Sequence, residues 1–381
     1  MFLSGMGGTG KSEVIKAFVD FAKNISHILD WNFDLNVIKI AALTGTAACE
    51  IPNGSTLHRI ACLNKRKISM EDKDSWDSTR ILIIDEVSFL DATTIETLDK
   101  NMRILKNTND LFGGVQVVFV GDFFQMFPVG VGQSLVYKET IQFYVINKAV
   151  FLNKSHRFKS DPQYGEIMRR FRVGLATKHD IQMINTRFFK NDNVVLPPIS
   201  KLRCACFRND ERCAFNSSVF LKHLEATHTK TNDDTLECPN HTCIIKAVMK
   251  YKRGGANINS TMHNRILDEC GDCDIKNGKG AFVDPALKFF NNVPLMMNSN
   301  DRIHEELANG TPCLGQYIKL KHGCKYRKEN WEGYMVNTIY AYEVEYIICK
   351  KEKESICSPE YFKVKPESSI CNVKLQQFKV L

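Results

Sequence analysis

Eight residues near the start, Gly5-Met6-Gly7-Gly8-Thr9-Gly10-Lys11-Ser12, constrain the fold more than any other stretch of the chain. They satisfy G-x-x-x-x-G-K-[ST], the Walker A pattern of a loop that wraps phosphate with backbone N–H groups. Glycine is required where the chain curls against phosphate oxygens, because a Cβ would collide with them. A helix starting near Lys11 turns its positive dipole end toward the same anion. Gly5, Gly7, Gly8, Thr9, Gly10, Lys11 and Ser12 are therefore the candidate cradle for ATP. Lys11 is placed to reach the β- and γ-phosphates, and Ser12 to supply a Mg²⁺ ligand. The strand that should precede the loop is reduced to Phe2 and Leu3, so the chain is expected to begin late.

The rest of the first 150 residues fits such a loop. Segments 37–43, 81–87 and 115–120 are β-branched and nearly continuous, as strands buried on both faces of a parallel sheet are. Segments 12–23 and 93–106 carry apolar residues at helical spacing. The strand Ile81-Leu82-Ile83-Ile84 runs into Asp85 and Glu86, the Walker B arrangement. Asp85 is the second candidate Mg²⁺ ligand, and Glu86 is placed to orient or deprotonate the attacking water. A third strand ends in Gly121-Asp122-Phe123-Phe124-Gln125. The Gln125 amide, both donor and acceptor, suits a sensor of the γ-phosphate or of that water. Phe123, Phe124 and Phe127 are candidates for base stacking, with core packing the expected role.

The motifs follow a recognisable order. After the phosphate loop come Thr44-Gly45-Thr46-Ala47-Ala48, Gly54-Ser55-Thr56-Leu57-His58, Asp85-Glu86-Val87-Ser88 and Gly121-Asp122-Phe123-Phe124-Gln125. Ser155-His156-Arg157-Phe158, Arg170-Phe171-Arg172-Val173-Gly174 and Leu307-Ala308-Asn309-Gly310-Thr311 extend the series. This order resembles the petite-integration-frequency (PIF-type) DNA helicases of superfamily 1, including the helicase part of Helitron transposons. The resemblance implies two RecA-like P-loop NTPase domains and an ATP-dependent helicase moving 5′ to 3′ on single-stranded DNA or at forks. Its settings are DNA repair, recombination, telomere maintenance or transposition. It also implies residue roles. Thr44, Thr46, Thr56 and His58 match the DNA face of the first domain, and Pro128 and Val129 a segment guiding the strand. Arg157 matches an arginine reaching the γ-phosphate from the second domain. Asn309, Gly310 and Thr311 match a loop near the DNA backbone. The alternatives are a surface ion pair for Arg157 and a structural histidine for His58.

The expected organisation is a RecA-like domain at 1–150 and a second, partial one at 151–381. A polar insertion at about 225–282 and a small β-barrel-like module at about 320–370 interrupt the second. Helices are expected at 164–172, 178–189 and 210–224, and strands at 202–207, 316–320, 342–349 and 361–364. Relative to the family, a glutamine-containing segment before the loop and the last motifs beyond Leu381 are missing, so truncation or a split gene product is expected. A further segment or partner would then supply those motifs. Cys238, His241, Cys243, Cys270 and Cys273 offer a possible Zn²⁺ set, against ordinary free thiols.

Composition narrows the classes. A net charge of +8 suits a polyanion partner without requiring one. No apolar run reaches the ~20 residues of a membrane helix. Fourteen cysteines without a secretory leader read as free thiols, which places the protein inside a cell, in nucleus or mitochondrion if eukaryotic. Two rivals remain. A catalytically inactive, DNA-binding fragment of a mobile element explains the missing ends, and a nucleotide kinase explains the Walker A loop alone.

Overall fold

The computed structural model describes residues 1–29, 35–128, 132–136, 146–188, 195, 197–198, 202–206, 208–227, 229–230, 236–237, 242–247, 275–276, 282–283, 286–297, 302, 305–352 and 360–366. The chain divides into two compact units, Met1–Val194 with Asn300–Asn309, and Val195–Ser299 with Gly310–Leu381. The boundary expected at 150 therefore falls inside the first unit.

The first unit is built on six strands: β1 (Phe2–Gly5), β2 (Ile38–Ala42), β3 (Ser55–Thr56), β4 (Ile81–Asp85), β5 (Gln116–Gly121) and β6 (Ala149–Leu152). Their order is β3-β2-β4-β5-β1-β6, with every pairing parallel. Leu82, Ile83 and Ile84 are almost wholly buried, worth about 2 kcal/mol apiece relative to exposure. That explains why β4 reads as an unbroken apolar run rather than an alternating one. Helix α1 (Lys11–Ile28) buries Ile15 and Val19. Four shorter or later helices follow: α2 (Gly45–Cys49), α3 (Leu57–Ile60), α4 (Met70–Asp74) and α5 (Ala92–Lys106). Asp91 caps α5 by accepting the Thr94 amide at 2.6 Å, and Asn107 closes it in the left-handed conformation. Trp76 is fully buried and donates its indole N–H to Ile60 O at 3.0 Å.

Two more helices belong to this unit, α6 (Pro162–Arg172) and α7 (Lys178–Asn185). A capping box between Thr177 and Asp180 starts α7. Its end, expected near 189, comes at Asn185.

The second unit holds α8 (Asn209–Thr227) and strands β7 (Thr229–Lys230), β8 (Leu236–Glu237), β9 (Cys243–Lys246), β10 (Ile275–Lys276), β11 (Phe282–Val283), β12 (Ala286–Phe289), β13 (Val293–Met296), β14 (Pro312–Leu320), β15 (Arg327–Trp331), β16 (Tyr334–Tyr340), β17 (Val344–Lys351) and β18 (Tyr361–Val364). The 202–206 segment, expected as a strand, has no regular structure. One sheet runs β12-β9-β16-β8-β7, with β15 paired to β16, and a four-stranded antiparallel sheet runs β13-β14-β17-β18. The β module expected at 320–370 is thus shared between two sheets. Its hairpin turns on Glu332 and Gly333, with φ of 50° and 85°, which suits the right-handed strand twist of β15 and β16. Most of the polar insertion, including Cys238, His241, Cys270 and Cys273, lies outside the described residues, while Cys243 is buried on β9. Every described cysteine is a free thiol. No cluster of three or more His, Cys, Asp or Glu side chains suited to a metal forms among the described residues, and none of their helices is long and apolar enough to cross a membrane.

Candidate functional site

The carboxyl ends of β1, β4 and β5 meet at one edge of the parallel sheet, where open α/β sheets place their ligands. From β1 the chain enters the loop Gly5–Ser12. Gly8 and Gly10 take φ of 80° and 92°, a region that costs any residue with a Cβ. Thr9 is buried and donates its hydroxyl to Met6 O at 2.8 Å, which tightens the curl. Lys11 Nζ donates to Gly5 O at 2.7 Å and Met6 O at 3.4 Å, so the ammonium lies across the loop rather than out in solvent. Ser12 lies in the first turn of α1.

At the end of β4, Asp85 is 5% exposed and accepts its neighbour Glu86 N–H at 2.9 Å. Burial pushes the Asp85 carboxyl above its ordinary value, against the pull of Lys11. Burial also raises Glu86, reinforced by the negative charge of Asp85 and opposed by Lys11 and Arg157. Glu86 itself sits at φ 56°, ψ 42°, a left-handed conformation unusual for a non-glycine residue and typical of constrained sites. The backbone there presses on β5, since a Cβ on Gly121 would lie 2.9 Å from Val87 N.

Beyond β5 the loop carries Gln125, which is exposed. A Cβ added to Gly7 would lie 3.0 Å from Arg157 Nη1 and 3.8 Å from Gln125 Nε2, so loop tip, amide and guanidinium share one corner. A cavity of about 400 Å³ opens there, lined by Met6, Gly7, Gln125 and Arg157 among others. Arg157 is brought in by its own neighbours: His156 N–H donates to Gly8 O at 2.7 Å, and the Ser155 hydroxyl to Gly7 O at 3.3 Å. Arg157 falls within the first compact unit, and these two bonds tie its segment to the loop. Among the described residues Arg157 forms no ion pair, and its charge lies near Glu86. Asp122 and Arg172, quoted in the motifs but given no role, form a fork at 2.6 and 3.0 Å.

The residues expected on a DNA face gather in part. Thr44 caps α2 by accepting Ala47 N–H at 3.2 Å, and the Thr46 hydroxyl donates to Asn309 O at 2.6 Å across 263 residues of sequence. Thr56 and His58 line a cleft of about 470 Å³ with Leu43, Arg59, Asn64 and Lys65. His58 is exposed, so it is not a structural core histidine. Arg59 adds positive charge there that the motif reading left out, whereas Lys65 is paired with Asp72 at 2.7 Å. In the second unit, Gly310 N–H donates to Met297 O at 2.8 Å, and Thr311 O accepts Met297 N–H at 3.0 Å. Pro128 is half-buried and Val129 lies outside the described residues. Phe123 joins the core against Phe2, with ring centroids 5.4 Å apart, as expected. Phe124 and Phe127 depart from that expectation, at 63% and 49% exposure. Arg172 covers one face of Phe124, its guanidinium carbon 4.3 Å from the ring centre, so the ring is held without entering the core.

A phosphate loop on a parallel sheet, with two acids, an amide and a guanidinium at its mouth, defines a P-loop NTPase domain of RecA-like α/β type. Comparison with known proteins narrows this further. Residues 1–161 match the family model described as PIF1-like helicase. The PIF1 helicase of Emericella nidulans is 29% identical over 196 residues, covering 48% of this chain and 26% of that protein. The RRM3 helicase of Saccharomyces cerevisiae is 33% identical over 199 residues, covering 46% and 25%. The chain thus spans about a quarter of the length of these curated relatives. The crystal structure of Pif1 helicase from Candida albicans superposes with a TM-score of 0.57 at 18% identity, over 96% of this chain and 74% of that one. The Bacteroides Pif1 helicase in complex with ADP-AlF3 and ssDNA gives 0.52 at 16%, over 90% and 79%. Residues 1–161 are thus similar to the PIF1-like helicase family, and the solved Pif1 structures share the fold of this chain.

Proposed function

We propose that this chain hydrolyses ATP to drive movement along single-stranded DNA, as an ATP-dependent DNA helicase of 5′-to-3′ polarity. The observation that carries the reading is the convergence of Gln125 and Arg157 on the tip of the phosphate loop. Both groups are aimed where the terminal phosphate of a bound nucleotide would sit, and an enzyme that only stores nucleotide has no use for them. Lys11 and the loop amides hold the β- and γ-phosphates. Glu86 takes the proton of the attacking water, and its raised affinity for protons suits a general base. Arg157 offsets negative charge growing on the phosphate oxygens, the role an arginine finger plays in related chemistry.

Ser12 and Asp85 are the residues that would hold Mg²⁺. Their hydroxyl and carboxylate are the hard oxygen donors that ion takes, and only Asp85 Oδ1 is engaged by Glu86 N–H. The ion supplies charge neutralisation between the β- and γ-phosphates when bound.

Contact with single-stranded DNA is assigned to Thr44, Thr46, Thr56, His58, Pro128, Val129 and Asn309 and, separately, to Gly310 and Thr311 of the second unit. Hydroxyls and backbone amides bind phosphate without reading sequence, and Arg59 adds positive charge in the cleft. The fork-bound Pif1 relative points to the same substrate class. The cellular setting is one that exposes single strands: repair, recombination, telomere maintenance or transposition.

The deciding experiment measures ATP hydrolysis with and without single-stranded DNA, beside Lys11→Ala. The expected result is stimulation by DNA and a fall of about 10² or more in the variant. Binding of ATP without turnover would sink the reading in favour of an inactive DNA-binding fragment.

A further inference from the structure

The motor reading uses Gln125 but leaves unexplained what holds an exposed amide at the mouth of the loop. Gln125 N–H donates to Asp122 O at 3.0 Å, and its Nε2 donates to Asp122 Oδ2 at 3.4 Å. Phe124 N–H donates to Asp122 Oδ1 at 3.1 Å. All three contacts fold the 122–125 turn onto Asp122, two of them through a carboxylate that is 1% exposed. A buried carboxylate needs a counter-charge, and Arg172 provides it 50 residues away. Its Nη2 lies 2.6 Å from Oδ1 and its Nε 3.0 Å from Oδ2, a two-pronged geometry that a lysine cannot copy. The same guanidinium stacks on Phe124. Arg172 therefore touches both the acid that folds the turn and a ring within it.

Arg172 is itself anchored. It is the last residue of α6, whose neighbour Arg170 forks onto Asp180 at 2.7 and 2.5 Å. Asp180 is 1% exposed and caps α7, so the end of α6 is fixed to the following helix. The other end of α6 starts five residues after Arg157. Gly165 lets it pack closely there, since a Cβ at that position would lie 2.7 Å from Phe158 Cβ. One short segment thus presents Arg157 to the loop tip at one end and clamps the Gln125 turn at the other.

We propose that Arg172 is a positioning residue, which holds Gln125 in reach of the terminal phosphate through its fork on Asp122. Arg172 also lines the cavity at the loop mouth, and the proposed effect runs through the turn rather than through the reacting phosphate. The inference rests on the motor reading for its consequence, though the positioning itself does not depend on nucleotide.

Two measurements on the full chain test it. The first is binding of ADP and of a non-hydrolysable ATP analogue to the unaltered chain, Gln125→Ala, Arg172→Gln and the double variant. Gln125→Ala is expected to cut the preference for the analogue over ADP about tenfold, the worth of a hydrogen bond to a charged group. Arg172→Gln should cut it by a similar factor, and the double variant no further, because both remove one interaction. Arg172→Lys, which keeps the charge but not the fork, should fall between and guards against misfolding of the glutamine variant. Additive losses, or equal weakening of ADP and analogue, would overturn the proposal.

The second is hydrogen exchange without nucleotide. The Phe124 amide is expected to exchange about tenfold faster in Arg172→Gln and Arg172→Lys while β5 amides keep their protection. An unchanged Phe124 amide overturns the proposal. An unaltered chain with no preference for the analogue would instead defeat the motor reading, and exchange at Phe124 would still judge Arg172.

Discussion

β4 and β5 are adjacent strands of one sheet, and each leads into a buried acid, yet the two acids are treated oppositely. Asp85 ends β4 and Glu86 follows it, with no cation forked onto either, and burial pushes both above their ordinary values. Asp122 follows β5, where burial alone would raise it, but the Arg172 fork and the Phe124 amide outweigh that and hold it low. The same backbone geometry thus yields one acid pair left short of positive charge and one acid that is saturated. The first arrangement suits a site awaiting a cation and a proton. The second suits a fixed hinge for the turn beside it.

The largest effect that would test this contrast is Glu86→Gln. Hydrolysis should fall by about 10²–10⁴, measured as phosphate release, with nucleotide still bound. Retained turnover would remove the β4 acids from the chemistry.

Stability should separate the two acids next. Asp122→Asn should lower unfolding free energy by about 3 kcal/mol, because it strands Arg172, which is 23% exposed, without its partner. Asp85→Asn should raise it by about 1 kcal/mol, since it removes a poorly compensated buried charge. Denaturant melts at neutral pH would show opposite signs, and equal signs would break the comparison.

The pH dependence follows with its sign. Between the ordinary values of 3.8 and 4.5 and their raised folded values, Asp85 and Glu86 hold protons that the unfolded chain has released. Their contribution therefore favours folding in acid and is lost as pH rises through that window. Asp122 contributes stability fully present above 3.8 and lost as pH falls through its depressed folded value. In Asp122→Asn the acid-side loss of stability should flatten, and the acid limb of hydrolysis should still lie above 4.5, set by Glu86. The smallest effect concerns the far cleft. His58→Ala should raise the concentration of single-stranded DNA needed for half-maximal stimulation about threefold, through loss of one contact among several.

Much of the nucleotide end was legible in the sequence because its signals are local. The glycine spacing of 5–10, the apolar run of β4 ending in Asp85-Glu86, and the β5 run ending at Gln125 each depend on neighbours a few residues away. Backbone sterics and burial on both sheet faces restrict the residue types at those positions, so type and spacing reveal the element. Ordered motifs likewise pointed to the family before any contact was known.

What tertiary structure alone decided is contact between residues far apart in the chain. The fork joining Asp122 to Arg172, the Thr46 hydroxyl on Asn309 O, and the seating of Arg157 against Gly8 through its neighbour's amide leave no periodic trace in the sequence. The exposure of Phe124 is hidden from sequence for the same reason, since only the packed α6 places Arg172 over its ring. A charge in sequence shows that it needs a partner or water. Which partner it finds is fixed when the sheet, its turns and α6 close on one another, because burial then makes an unpaired charge too costly to keep.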